Sequence, residues 1–145
     1  MTNNQITIQK LSSKSEILSA FPIIRQRYEN MSLENYEAQI SEMMAMNDFK
    51  MVGAFIGDEI VGVCGYWVLR MLYCGRYLQL SSFIVDEEKR GSGIGRKILD
   101  EMEKIGKELH CEKIILDSFT ENKKSHPLYF REGFYIRGFH FMKNL

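Results

Sequence analysis

Hydrophobic and polar positions along this chain change period several times, and each change marks an element. Residues 5–10 alternate, the two-residue period of a strand with one buried face. After Ser13 or Ser15, either of which suits an N-cap, Ile17, Leu18, Phe21 and Ile24 recur at helical spacing and predict a helix to about Arg27. Ser32 caps a second predicted helix, residues 33–46, with Tyr36, Ile40, Met43 and Met44 on its apolar side. Residues 51–56 and 60–72 read as strands joined by the hairpin turn Gly57-Asp58. Cys74-Gly75 turns the chain again, into a strand over residues 77–85. Ile94, Ile98, Met102, Ile105 and Leu109 then mark one face of a helix that starts near Gly93. Residues 113–118 predict a short buried strand, 125–131 a short helix, and 134–142 a closing strand or strand pair. This β-α-α-β-β-β-α-β-α-β order predicts an α/β fold built on one mixed sheet.

Composition narrows the class without naming it. A chain of 145 residues suits one domain spanning 1–145 with a sizeable core. Its 19 basic and 19 acidic side chains balance, so neither nucleic acid nor an anionic membrane is the expected partner. No apolar run approaches the roughly 20 residues of a membrane span. The opening Met1-Thr2-Asn3-Asn4-Gln5 lacks the basic-then-apolar layout of an export signal. Three cysteines, an odd number without a Cys-x-x-Cys, suit reduced thiols, and a cytoplasmic location is expected. His110, His126 and His140 show no metal-ligand spacing, so no metal is expected.

The chemistry concentrates in Arg90-Gly91-Ser92-Gly93-Ile94-Gly95, between an apolar strand and an amphipathic helix. Glycines there let a ligand approach the backbone, and the first helical N–H groups are unpaired, which makes a ready anion site. A P-loop is excluded because Arg96-Lys97 is followed by Ile98 rather than by Ser or Thr. A dinucleotide fingerprint is excluded because the charged spacer 86–90 separates strand from glycines, and position 96 is arginine. What fits is Arg/Gln-x-x-Gly-x-Gly/Ala, met by Arg90, Gly93 and Gly95. This resembles the pyrophosphate loop of the GNAT superfamily, the acyl-CoA-dependent N-acetyltransferases. Asn122, Ser125, Tyr129, Gly133 and Phe134 resemble the same family's later motif, in the right order and separation.

The resemblance implies a mostly antiparallel central sheet flanked by helices and splayed after the glycine-loop strand. It implies acetyl-CoA as cosubstrate, with pantetheine borrowing backbone groups from Phe83, Ile84 and Val85. Pyrophosphate would lie on the N–H groups of Gly91, Ser92, Gly93, Ile94, Gly95 and Arg96, favoured by the helix dipole. Arg96 and Lys97 either meet phosphates or form a solvated helix flank. Asn122, with Ser125 beside it in the motif, would bond the pantetheine arm, or else cap a turn. Tyr129 is the candidate general acid for the departing thiolate, since an ordinary tyrosine is protonated at neutral pH; the alternative is an aromatic anchor.

The sequence departs from the family at the base. Where many members carry Asp or Glu, it reads Leu80-Ser81-Ser82-Phe83. Ser82 is therefore a candidate for holding a water. Asp117, an acid ending an otherwise apolar strand, is the leading carboxylate, with a turn-forming role as its alternative. Glu29, Glu34 and Glu121 are weaker candidates, and His126 a possible relay. A wall of Met43, Met44 and Met46 with Tyr28, Tyr36 and Trp67 would suit a partly apolar acceptor. The expected reaction is direct acetyl transfer to a primary amine, of a small molecule or, as the alternative, of a protein. The alternative is a non-catalytic acyl-CoA-binding or sensory module. The resemblance also allows a homodimer, since family members often complete their sheet by dimer contacts.

Overall fold

The computed structural model describes residues 5–145; Met1 to Asn4, which carry most of the export-signal reading, lie outside them. Strand β1 (Ile6–Leu11) is followed by helices α1 (Lys14–Leu18), α2 (Phe21–Arg27) and α3 (Leu33–Asn47). Strands β2 (Lys50–Ile56), β3 (Glu59–Met71) and β4 (Gly75–Val85) come next, then helix α4 (Ile94–Glu108), strand β5 (Lys113–Ile115) and helix α5 (His126–Arg131). The five strands lie in sequence order, antiparallel except for the parallel β4–β5 pair.

Each face of the sheet carries its own core. On one, α4 lays Ile94, Ile98 and Met102 against Val52, Cys64 and Leu78, all at most 1 % exposed. On the other, α1, α2 and α3 bring Ile17, Ile24 and Ile40 against Met51, Val63 and Ile84. The helix caps follow the chemistry of their residues. Ser13 Oγ accepts the Glu16 N–H at 3.1 Å, and Ser32 Oγ accepts that of Asn35 at 3.0 Å.

Two expectations need correction. The helix predicted to run unbroken to Arg27 is two, α1 and α2, parted at Ser19-Ala20. Pro22 explains the break: it has no N–H for the carbonyl of Leu18 and its ring crowds the preceding turn, so it is accommodated in the first turn of a new helix. The closing strand predicted over 134–142 joins no sheet, and Ile136, Phe139 and Phe141 are exposed. Alternation supplies a face but not a hydrogen-bonding partner, and β5 offers an edge only three residues long.

The feature that positions the site is a bulge in β4. The register runs Val63↔Ile84 and then Gly65↔Ser81, so β4 spends one extra residue there. Ser82 takes it up at φ 53°, a left-handed conformation uncommon for serine. Side-chain parity reverses across it. Leu78 and Leu80 face α4 before the bulge; Phe83 and Val85 face α4 after it, and Ile84 packs against the other core.

Candidate active site

Beyond the bulge, β4 is open on one side. Its pairing with β5 ends at Gln79↔Ile115, so the stretch that follows, through Phe83, Ile84 and Val85, has no β5 partner. The chain then makes a 3-10 turn, Glu87–Lys89, before the glycine loop. Asp86 anchors this turn and is only 9 % exposed. Its Oδ1 accepts from Gln26 Nε2 at 3.2 Å and from the Glu88 N–H at 3.1 Å, while Gln26 Oε1 accepts the Glu87 N–H at 3.0 Å. α2 thus holds the start of the loop in place through a contact sixty residues long in sequence.

Gly91 and Gly93 have φ of 83° and 85°, and a Cβ on either would meet nothing within 4 Å. Both conformations need glycine, and the space before α4 is free. Arg90, Ser92 and Gly93 are exposed, and the Ser92 hydroxyl is tied to the Lys89 carbonyl. Ile94 is buried under the loop as the first residue of α4. Gly95 serves close packing instead: a Cβ there would lie 3.0 Å from Leu128 Cδ2 and 3.5 Å from the Phe83 ring. The two cations beyond the loop point elsewhere. Arg96 Nε pairs with Glu132 at 3.6 Å, and Lys97 Nζ donates to the Ile6 carbonyl of β1 at 3.4 Å.

Tyr129 lies on α5 with its ring between Phe83, 6.2 Å away by centroid, and Phe134, 6.1 Å away. Burial pushes its phenol above the usual tyrosine value; the Arg27 charge and the Ser125 hydrogen bond oppose this in part. It is therefore a protonated, partly desolvated hydroxyl at neutral pH. Asn122 and Ser125 form the turn before α5, where Ser125 Oγ donates to Asn122 Oδ1 at 3.3 Å. His126 Nε2 lies 3.1 Å from both Ser118 Oγ and the Phe119 carbonyl, a local bracing contact.

Across β4, on the opposite face, is a cavity of about 200 Å³. Ile24 of α2 and Tyr28 just past its end, then Tyr36, Gln39, Ile40 and Met43 on α3, form one wall. Met31, Phe49 and Met51 close it, and Ser81 and Ser82 of the bulge form its floor. Tyr28 Oη is 3.4 Å from Ser82 Oγ, and Arg27 Nη2 donates to the Phe83 carbonyl at 3.4 Å, so α2 is pinned to the bulge. Of the expected wall, Tyr28, Tyr36 and Met43 are in place. Tyr36 is half framework: its hydroxyl donates to the Ile17 carbonyl at 2.8 Å, and burial raises its pKa. Trp67 stands behind the wall, its ring 4.9 Å from Phe49, and Met44 and Met46 are not among the lining residues.

The carboxylate candidates do not line this cavity. Asp117 is exposed just past β5, with Gln79 Nε2 at 3.3 Å from one oxygen and His140 Nδ1 at 3.5 Å from the other. Glu29, Glu34 and Glu121 are exposed. Among the described residues no cluster of three His, Cys, Asp or Glu could hold a metal. The Gln26–Asp86 lock and the roles of Ile24, Ile40 and Phe49 had no local signal, since each depends on residues brought together across the fold.

The site is framed by a five-stranded mixed sheet, by the bulged β4 left without a β5 partner beyond Gln79, and by a glycine loop at the N-terminus of α4. The chain belongs to the acetyltransferase (GNAT) family, whose model matches residues 16–134. It is therefore an N-acetyltransferase by family. It is similar to the uncharacterized N-acetyltransferase YhdJ of Bacillus subtilis, 21% identical over 139 residues, covering 95% of this chain and 98% of that protein. It is also similar to the spermine/spermidine N(1)-acetyltransferase of Bacillus subtilis, 28% identical over 111 residues, 73% of this chain and 72% of that one. Among solved structures, the fold matches an aminoglycoside acetyltransferase, meta-AAC0020, from an uncultured soil metagenomic sample. The TM-score is 0.83 at 18% identity, over 100% of this chain and 99% of that one.

Proposed function

We propose that this protein transfers the acetyl group of acetyl-CoA directly to the primary amine of a small molecule. One observation carries the reading: consecutive residues of β4 face the cavity on one side of the sheet and Tyr129 on the other. Ser82 forms the floor of the cavity, and Phe83, the next residue, packs on Tyr129 beside the open edge. Donor and acceptor would meet across that one bulged peptide.

The residues fit acetyl-CoA, which supplies an acetyl group activated as a thioester. Gly91 and Gly93 leave the front of the loop clear, and the N–H groups from Gly91 to Arg96 would hold pyrophosphate there. The backbone of Phe83, Ile84 and Val85, lacking a β5 partner, would pair with the pantetheine arm, and Asn122 and Ser125 would bound its other side. The Tyr129 hydroxyl would donate a proton to the leaving sulfur as the new amide bond forms and the thioester C–S bond breaks. The proton that the nitrogen loses on becoming an amide would return through water to the Tyr129 oxygen. The amine must arrive neutral. The hydroxyls of Ser82, in the cavity floor, and of Tyr28, 3.4 Å from it, would receive its hydrogen bond. Less supports Asp117 as base, because Gln79 and His140 engage it away from the cavity lining.

A cavity of about 200 Å³ suits a small-molecule acceptor, with a protein amine as the alternative. A cytoplasmic location fits the free thiols of Cys64, Cys74 and Cys111, and no described helix is long and apolar enough to cross a membrane. A homodimer would cover the exposed apolar residues of 134–145.

The test is thermal unfolding with and without acetyl-CoA, followed by free-thiol release against a panel of amines. Ligand at a hundredfold excess over its dissociation constant stabilises the native state by about 2.7 kcal/mol. Stabilisation with amine-dependent thiol release supports the reading. Stabilisation without release from any amine leaves a binding module, and no stabilisation overturns the assignment of the loop.

A further inference from the structure

The cavity wall bears no charge. Its lining is apolar at Ile40, Met43 and Phe49; α3 adds Gln39 and the Tyr36 hydroxyl, which donates to the Ile17 carbonyl, and the hydroxyls of Tyr28, Ser81 and Ser82 complete the polar groups. Recognition of a polycation uses carboxylates, because each further ammonium that is desolvated without a partner is costly. Recognition of a sugar phosphate uses guanidinium or ammonium groups. Neither set of groups lines this site. At about 200 Å³ the space exceeds the roughly 150 Å³ that accepts a benzene ring in an engineered apolar cavity.

Resting on the acetyltransferase reading, we infer that the acceptor is a primary monoamine on an uncharged apolar body of phenyl or branched-alkyl size. Its nitrogen lies at the Tyr28–Ser82 hydroxyl pair, whose oxygens are 3.4 Å apart, and its body among Ile40, Met43 and Phe49. The same wall explains how the reaction proceeds with no carboxylate at Ser81 or Ser82. Apolar surroundings disfavour the ammonium form, so entry into the cavity itself lowers the pKa of the bound amine. Its proton leaves to solvent before or during entry, and the hydroxyl pair accepts a hydrogen bond from the neutral NH₂. The three thioether side chains, Met31, Met43 and Met51, let the wall adjust to more than one body shape.

The experiment measures kcat/KM from thiol release by the full chain with 2-phenylethylamine, 3-methylbutylamine, ethylamine, spermidine and glucosamine-6-phosphate. Apolar contacts in a pocket discriminate by about 10–200-fold per methylene, so the first two amines are expected to exceed ethylamine by at least tenfold. They are also expected to exceed spermidine and the sugar phosphate. Gln39→Glu, which keeps the side-chain shape and adds one carboxylate, is expected to move the spermidine-to-phenylethylamine ratio towards spermidine. Met43→Ala is expected to favour a bulkier body, read with 2-(1-naphthyl)ethylamine. Preference of the unmodified chain for spermidine or glucosamine-6-phosphate, or equal use of ethylamine, overturns the inference while leaving the transferase reading intact. Stabilisation by acetyl-CoA without turnover of either apolar amine also overturns it. Absence of stabilisation by acetyl-CoA removes the reading beneath it.

Discussion

Gly93→Ala isolates what the glycine loop does. Gly93 has φ 85° and open space around the position of a Cβ, so alanine introduces no clash and the cost is backbone strain. A left-handed conformation costs an L-residue about 1–2 kcal/mol, and the stiffer unfolded chain returns roughly 0.4–1 kcal/mol of that. The net loss of stability is therefore at most about 1.6 kcal/mol, or a fall in Tm of no more than several degrees for a chain of this size. The strain is relieved if the backbone rotates, and rotation turns the first N–H groups of α4 away from the loop front. A hydrogen bond to a charged oxygen contributes about 1.5–3 kcal/mol, so loss of one weakens acetyl-CoA binding by about tenfold or more. Gly57 provides the matched control: φ is 60°, nothing lies within 4 Å of a Cβ, and it sits in the β2–β3 turn away from the loop. Gly57→Ala should cost comparable stability and no affinity. Urea unfolding and calorimetric titration with acetyl-CoA separate the two quantities. Equal affinity in both variants, with Gly93→Ala destabilised as expected, would refute the loop as the pyrophosphate site.

Three further outcomes are expected. Tyr129→Phe keeps the ring packed on Phe83 and Phe134 and removes only the hydroxyl, so acetyl-CoA affinity should persist while kcat falls about 10²-fold or more; unchanged kcat would assign Tyr129 an anchoring role alone. In the pH profile of kcat/KM, the acidic limb should follow the acceptor amine's own pKa, moving when a less basic amine is used. The alkaline limb should lie above pH 10, because Tyr129 acts as its protonated form and burial raises its pKa; activity is retained below that value and lost as pH rises through it. An acidic limb fixed across amines would point to an enzyme carboxylate, and Asp117→Asn would then be the variant to measure. Gly65→Ala should destabilise by about 1–3 kcal/mol, because the added Cβ falls onto the Phe49 ring and lies 3.1 Å from the Ser81 carbonyl. Since Phe49 lines the cavity, acceptor KM should rise more than acetyl-CoA KM; equal effects on both would place the cavity elsewhere.

The sequence determined by itself what local chemistry controls. Period-two and helical spacings placed β1 to β4, α3 and α4 within a few residues, because each needs only one apolar face and its caps or turns. Gly91 and Gly93 were legible as a tight turn before α4, since left-handed conformations are what glycine itself permits. The reading failed where the outcome depended on a partner. Residues 134–142 alternate as a strand does yet join no edge, and the spacing across Phe21 looked continuous until Pro22 divided it. Only the tertiary structure decided the site. The bulge at Ser82 reverses which side chains of β4 face α4, a change of one residue in register that no alternation pattern records. Through it Ser82 meets Tyr28, Phe83 meets Tyr129, and Gln26 reaches Asp86 across sixty residues. These contacts arise from packing two cores on opposite faces of one sheet, and the cavity between α2, α3 and β4 is what that packing leaves open.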